Sequence, residues 1–130
     1  MKYLPGLFTL IILCTFTACG NSFSDESRTT RSQIKDECHC GYVEYSMDYS
    51  ANDVMIMVDL SDCKSLTNPT NRHLHAKVLK GFAEKFYSQC IKKGIVTGVV
   101  MRIKNNKNSE TTVYEYKVMP GDSLQLTSEY

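Results

Sequence analysis

The chain has 130 residues, with 15 basic and 14 acidic side chains, six cysteines and no tryptophan. This length accommodates one domain with a modest hydrophobic core. A formal net charge of +1 argues against a dedicated nucleic-acid-binding protein, which would carry a strongly basic surface.

The first 18 residues have the three parts of a secretory signal. Lys2 supplies a positive charge, an uncharged apolar run extends from Leu7 to Phe16, and two small residues then precede Cys19. A run of about 10 residues is too short for a bilayer core, which needs ~20. We therefore predict that residues 1–18 are a cleaved signal peptide and not a permanent membrane span.

The segment Phe16-Thr17-Ala18-Cys19 resembles the lipobox of bacterial lipoproteins, with Phe16 in place of the usual Leu. The resemblance implies a diacylglyceryl group on the Cys19 thiol, cleavage before Cys19 and acylation of the new amine. Gly20 differs from the Asp that resembles an inner-membrane retention signal, so we expect the outer membrane. The segment Ser24-Asp25-Glu26 weakly resembles the surface-export signal of Bacteroidetes lipoproteins, and a solvated linker is its alternative interpretation. An ordinary signal peptide with an incidental Cys19 is the alternative to a lipoprotein.

Residues 20–37 are mostly polar and charged, with few apolar positions. This composition is typical of a flexible tether. We therefore predict a lipidated cysteine and tether over residues 19–37, followed by a single domain over residues 38–130.

Four cysteines remain in the mature domain: Cys38, Cys40, Cys63 and Cys90. An even number in a small exported domain indicates disulfides. A bond between Cys38 and Cys40 would close a strained ring, so two pairings stay open: 38–63 with 40–90, or 38–90 with 40–63. The alternatives are a four-thiolate metal site, for which the C-x-C spacing is tighter than zinc sites use, and free thiols. We expect disulfides, no metal and no cofactor.

Alternation of apolar and polar residues predicts four strands, over residues 43–49, 54–60, 96–104 and 112–119. Leu124 and Leu126 suggest a further short edge strand. Between the hairpins, a helix is predicted from about Pro69 to Lys93, with Val78, Leu79 and Phe82 on its apolar face. The order ββαββ predicts a two-layer α+β domain, with an antiparallel sheet packed against one long amphipathic helix and stapled by disulfides.

No nucleophile-elbow, zinc-protease or phosphate-loop motif occurs in the chain. The three histidines are expected to be exposed polar residues. Carboxylates near the first hairpin are expected to serve as turn residues, with a small envelope hydrolase as the less favoured alternative. We therefore expect a protein that is not an enzyme.

Charge is uneven along the chain, with a balance of −6 over residues 25–62 and +6 over residues 63–93. Two oppositely charged solvated faces are one interpretation, and a charged binding surface is the other. The candidate surface comprises Lys77, Lys80, Lys85, Asp48 and Asp53. We expect a lipid-anchored module that binds another envelope protein, such as an immunity or inhibitor protein against a secreted toxin or hydrolase. An accessory subunit of an outer-membrane assembly is the alternative, and neither function involves nucleic acid.

Overall fold

A computed structural model describes residues 22–50, 52–66 and 71–130 of the chain. The predicted signal peptide and Cys19 lie outside these residues. The described elements are α1 (Glu26–Cys38), β1 (Tyr42–Tyr49), β2 (Val54–Ser61), α2 (Arg72–Gln89), β3 (Gly98–Lys104), β4 (Thr111–Met119) and β5 (Ser123–Glu129), with 3₁₀ turns at Lys64–Leu66 and Lys93–Ile95. In this part of the chain, neither helix is both long and apolar enough to cross a membrane.

The five strands form one sheet in the order β1-β2-β3-β4-β5. The pairs β1–β2, β3–β4 and β4–β5 are antiparallel, as expected for strands joined by turns, and β5 forms at the predicted edge. β2 and β3 are parallel, with Val58 opposite Met101. The fold is therefore α+β, but its sheet is mixed and not wholly antiparallel. The connection through α2 returns the chain to the end at which β2 began, which a parallel neighbour requires.

Helix α1 occupies most of the segment that the sequence predicts to be a flexible tether. Its buried positions are Ser27, Thr30, Ile34 and Cys38, which recur at helical spacing. Only Ile34 is a conventional core residue, so the apolar pattern is too weak to predict a packed helix. The Thr30 hydroxyl donates to the side-chain oxygen of Gln89 at 3.1 Å, which ties α1 to α2. The folded domain thus begins by residue 22, and the ββαββ order gains a helix before it and a strand after it.

Helix α2 covers the inner face of the sheet. Leu79 and Phe82 are buried, as predicted, and Phe86 one turn further along is buried with them. Val78, which the sequence places on the same face, is 45% exposed. The helix ends at Gln89 because Cys90 is extended and forms a β-bridge with Phe23. The core lies between α1, α2 and the sheet, with Ile56, Val58, Leu60, Val99, Met101, Tyr114 and Tyr116 on the sheet side.

One disulfide joins Cys40 to Cys63. This bond belongs to the second of the two predicted pairings, 38–90 with 40–63. The expected second bond is absent, since Cys38 and Cys90 are buried free thiols. Cys90 pairs with Phe23 just before α1 begins, whereas Cys38 is the last residue of that helix. A 13-residue helix is about 20 Å long, so these two thiols lie at opposite ends of α1.

Candidate functional site

Both helices pack on the inner face of the sheet, and no described helix covers the other face, which we call the open face. Side chains alternate between the faces, so β2 buries Ile56, Val58 and Leu60 and turns its other residues outward. Strand pairing sets the open-face residues in cross-strand rows: Tyr42–Ser61–Lys104–Thr111, Glu44–Asp59–Arg102–Val113, Ser46–Met57–Val100–Glu115 and Asp48–Met55–Gly98–Lys117.

Four apolar residues form a strip on this face: Met55, Met57, Val100 and Val113. Val100 is 7% exposed and the other three are half-buried, although no described helix covers them. Met55 lies over Gly98, where a Cβ atom added to the glycine would come within 2.7 Å of the Met55 Cε atom. Met55, Met57 and Val100 lie on the parallel pair β2–β3, and parallel strands are usually covered on both faces. An apolar strip here is typical of a surface that another molecule covers.

A paired charge lies beside the strip. Arg102 donates from Nε to Asp59 Oδ1 at 2.6 Å and from Nη2 to Asp59 Oδ2 at 2.9 Å. The hydrogen bond to Asp59 is the main cause that raises the pKa of the Arg102 guanidinium. This two-point geometry holds both side chains in fixed positions. It also neutralises the carboxylate that would otherwise be the most central acid of the open face.

A groove of about 490 Å³ extends from this pair to one end of the open face. Its lining residues are Tyr42, Asp59, Leu60, Ser61, Arg102, Lys104, Asn106 and Thr111. Asn106 donates to Asp62 at 2.8 Å, which holds the amide at the groove wall. Among the described residues, no ion pair is found for Lys104. The groove therefore offers one uncompensated cation together with hydroxyl groups, a combination that suits a carboxylate or another anionic oxygen group.

The predicted binding residues do not form one surface. Lys77, Lys80 and Lys85 lie on α2, in the helix layer, and Lys85 donates to Gln33 of α1 at 3.1 Å. Asp48 lies on the open face, on the opposite side of the domain.

Asp53 belongs to the turn between β1 and β2, where its carbonyl oxygen accepts hydrogen bonds from Ser50. The sequence identified charged segments correctly, but the fold separates the cations of α2 from the acids of the hairpin.

One histidine differs from expectation. His75 is 7% exposed, and its burial is the main cause that lowers its pKa. His39 lies with its Nδ1 2.7 Å from the Ser65 hydroxyl in an exposed contact. Among the residues that the structure describes, no group of three or more His, Cys, Asp or Glu side chains is placed to hold a metal ion.

Sequence reasoning missed the residues at the centre of the open face: Met55, Met57, Val100, Arg102 and Lys104. A signal for two of them is present, because the methionines alternate out of phase with the core residues of β2. Taken alone, that pattern also fits a strand buried on both faces. The Asp59–Arg102 pair has no such local signal, because strand pairing alone brings these residues together.

Comparison with known proteins gives no family for this chain. No protein-family model matches it, no curated protein matches it, and no solved structure matches its fold.

Proposed function

We propose that this chain is a lipid-anchored envelope protein that binds a partner protein on its open face. The apolar strip carries the proposal, because a half-buried group of two methionines and two valines lies on a sheet face that no described helix covers. Interface centres are apolar and enriched in Met and Arg, and their rims are polar. The unbranched thioether side chains of Met55 and Met57 adapt readily to a partner's shape.

The charges beside the strip define the chemistry of the partner. Arg102 is already compensated by Asp59, whereas Lys104 in the groove has no ion pair in the described part of the chain. A partner that places an apolar projection on the strip and a carboxylate in the groove beside Lys104 would satisfy both features. We propose that this partner is a secreted toxin or hydrolase, for which this chain is the immunity or inhibitor protein.

The chemistry of the site favours binding over a hydrolase. Among the described residues, Asp59 is the one carboxylate that lines the groove, and both of its oxygens already accept hydrogen bonds from Arg102, which leaves neither free to act there as a general acid or base. The lipobox at Cys19 supports placement at the membrane, where an inhibitor would meet an arriving protein. An accessory role in an outer-membrane assembly would use the same surface and differs only in the partner's identity.

The experiment is in-cell photocrosslinking from two positions, followed by capture and mass spectrometry. A photoreactive amino acid replaces Met57 on the open face in one strain and Lys77 on α2 in the other. We expect one stoichiometric partner from position 57 and none from position 77. Crosslinking from position 77 alone would place the interface on the helix layer and contradict the proposal.

A matched pair of charge reversals follows the crosslink. Lys104→Glu and Lys77→Glu make the same change in net charge on opposite sides of the domain. We expect the first to weaken the complex at least tenfold, which corresponds to about 1.4 kcal/mol, and the second to leave it unchanged. Cys19→Ala tests the anchor separately, because it should release the protein from the membrane fraction.

A further inference from the structure

Backbone hydrogen bonds hold the first described residues against the C-terminal end of α2. Ile91 donates its backbone N–H to the Ser22 carbonyl oxygen at 2.8 Å, and Ser24 donates to the Gln89 carbonyl oxygen at 2.9 Å. Between them, Phe23 is half-buried against the core. The position of Ser22 is therefore fixed relative to the whole domain.

Chain length limits how far this point can lie from a lipid on Cys19. Ser22 is three residues after Cys19, and three extended residues reach at most about 11 Å. The headgroup region of a bilayer takes up about 5–8 Å of that distance on each side. If Cys19 is lipidated, as the proposed function requires, the residues around Ser22 must lie at the membrane surface.

Three large exposed side chains lie on the segments next to this attachment point: Tyr49 at the end of β1, and Ile91 and Ile95 just after α2. They are 54%, 61% and 51% exposed. The Tyr49 hydroxyl lies 3.3 Å from the Ser22 hydroxyl, and Ile91 bonds to the Ser22 backbone. Ile95 follows in the 3₁₀ turn Lys93–Ile95. Apolar side chains beside an aromatic hydroxyl are typical of groups that rest in a membrane interface.

We propose that Tyr49, Ile91 and Ile95 form a membrane-contact patch that rests in the interfacial layer of the bilayer holding Cys19. The contact is mainly apolar, because the nearby charges are mixed: Lys92 is exposed, while Lys93 lies 3.8 Å from Asp122. It should therefore persist at high salt, unlike attachment through surface charge.

This contact fixes the orientation of the open face. Tyr49 is the last residue of β1, and Tyr42, which lines the groove, is the first. Eight residues of antiparallel strand span about 24 Å. The groove therefore opens away from the membrane, where an arriving protein can reach it.

The chain has no tryptophan, so one introduced tryptophan reports on its own surroundings. Ile95→Trp places the probe in the patch. Leu74→Trp is the matched control, because Leu74 is 49% exposed near the opposite end of α2, about 22 Å of helical rise from Gln89. Each variant, as the lipidated mature protein, is reconstituted in vesicles of phosphatidylethanolamine and phosphatidylglycerol, with and without brominated phosphatidylcholine.

We expect the Ile95→Trp emission to shift to shorter wavelength and to be quenched by brominated lipid at low and high salt. The Leu74→Trp emission should stay at the wavelength of exposed tryptophan and should not be quenched. Vesicle-bound protein with neither probe quenched, or with both quenched, would overturn the patch while leaving the anchor intact. Protein that does not sediment with the vesicles would refute the anchor and the patch together.

Discussion

The Tyr116 hydroxyl on β4 donates a hydrogen bond of 2.8 Å to the carbonyl oxygen of Ala76 in α2. Tyr116 is 1% exposed, and its burial is the main cause that raises the pKa of its hydroxyl. The group therefore stays protonated and remains a donor across the physiological range. This bond fixes the distance between the sheet and the helix that covers it.

Tyr116→Phe should lower the free energy of unfolding by about 1 kcal/mol, because it removes a buried hydrogen bond while keeping the ring. Urea denaturation followed by circular dichroism measures the change. Tyr42→Phe is the control, because Tyr42 is 50% exposed and its loss should stay within about 0.5 kcal/mol. Equal effects from the two variants would contradict a structural role for the Tyr116 hydroxyl.

The number of disulfides can be tested directly, because the structure has one in its described residues and the sequence predicts two. In denaturant without reductant, an alkylating reagent should modify Cys38 and Cys90 but leave Cys40 and Cys63 unmodified. In the native state the Cys38 thiol should react slowly, because burial raises its pKa to about 11 and little thiolate is present at neutral pH. Mass spectrometry of peptides identifies the modified positions. Protection of all four cysteines would show that a second bond forms.

The Cys40–Cys63 disulfide should stabilise the fold, because it closes a loop between two residues that are 23 positions apart in the sequence. The free energy of unfolding of a variant with both Cys40→Ser and Cys63→Ser should be about 3 kcal/mol lower than that of the oxidised wild type. Wild-type protein measured in reductant is the matched control and should show a similar loss. A variant as stable as the oxidised wild type would contradict this role.

The fold was predictable where burial follows local alternation. Ile56, Val58 and Leu60 recur every second residue, and the structure buries all three. Helix α1 was not predictable, because its buried Thr30 depends on a contact with Gln89, 59 residues away. Local patterns contain no information about such a partner.

The candidate site follows the same rule. The alternation of Met55 and Met57 marks one face of β2, but the strand that lies beside β2 decides what surrounds them. Asp59 and Arg102 are 43 residues apart and meet only because β2 and β3 pair in parallel. The sequence predicted two hairpins in an antiparallel sheet and not the parallel pairing of β2 with β3, so this pair and the groove beside it could not be foreseen.

A further prediction concerns acid stability and His75. Burial lowers the pKa of this histidine below its ordinary value of 6.5, so the unfolded chain binds the proton more readily than the folded chain. Stability should therefore be full above pH 6.5 and fall as the pH drops toward the lowered pKa of the folded state. His75→Gln should reduce this decline below pH 6.5, as measured by urea midpoints. His73→Gln, an exposed change on the same helix, should keep most of the decline. Identical profiles for His75→Gln and wild type would exclude His75 as the cause.

Two glycines give a final prediction with opposite signs. At Gly98 a Cβ atom would lie 2.6 Å from the Tyr116 carbonyl oxygen and 2.7 Å from Met55 Cε. Because the carbonyl belongs to the neighbouring strand's backbone, Gly98→Ala must displace β4 and should cost about 1–3 kcal/mol. At Gly81, inside α2, a Cβ would meet nothing within 4 Å. Gly81→Ala should stabilise the protein by up to about 1 kcal/mol, since alanine favours the helix. Thermal and urea unfolding of both variants measures the difference. A neutral Gly98→Ala would contradict the close pairing of β3 and β4 on which the open face depends.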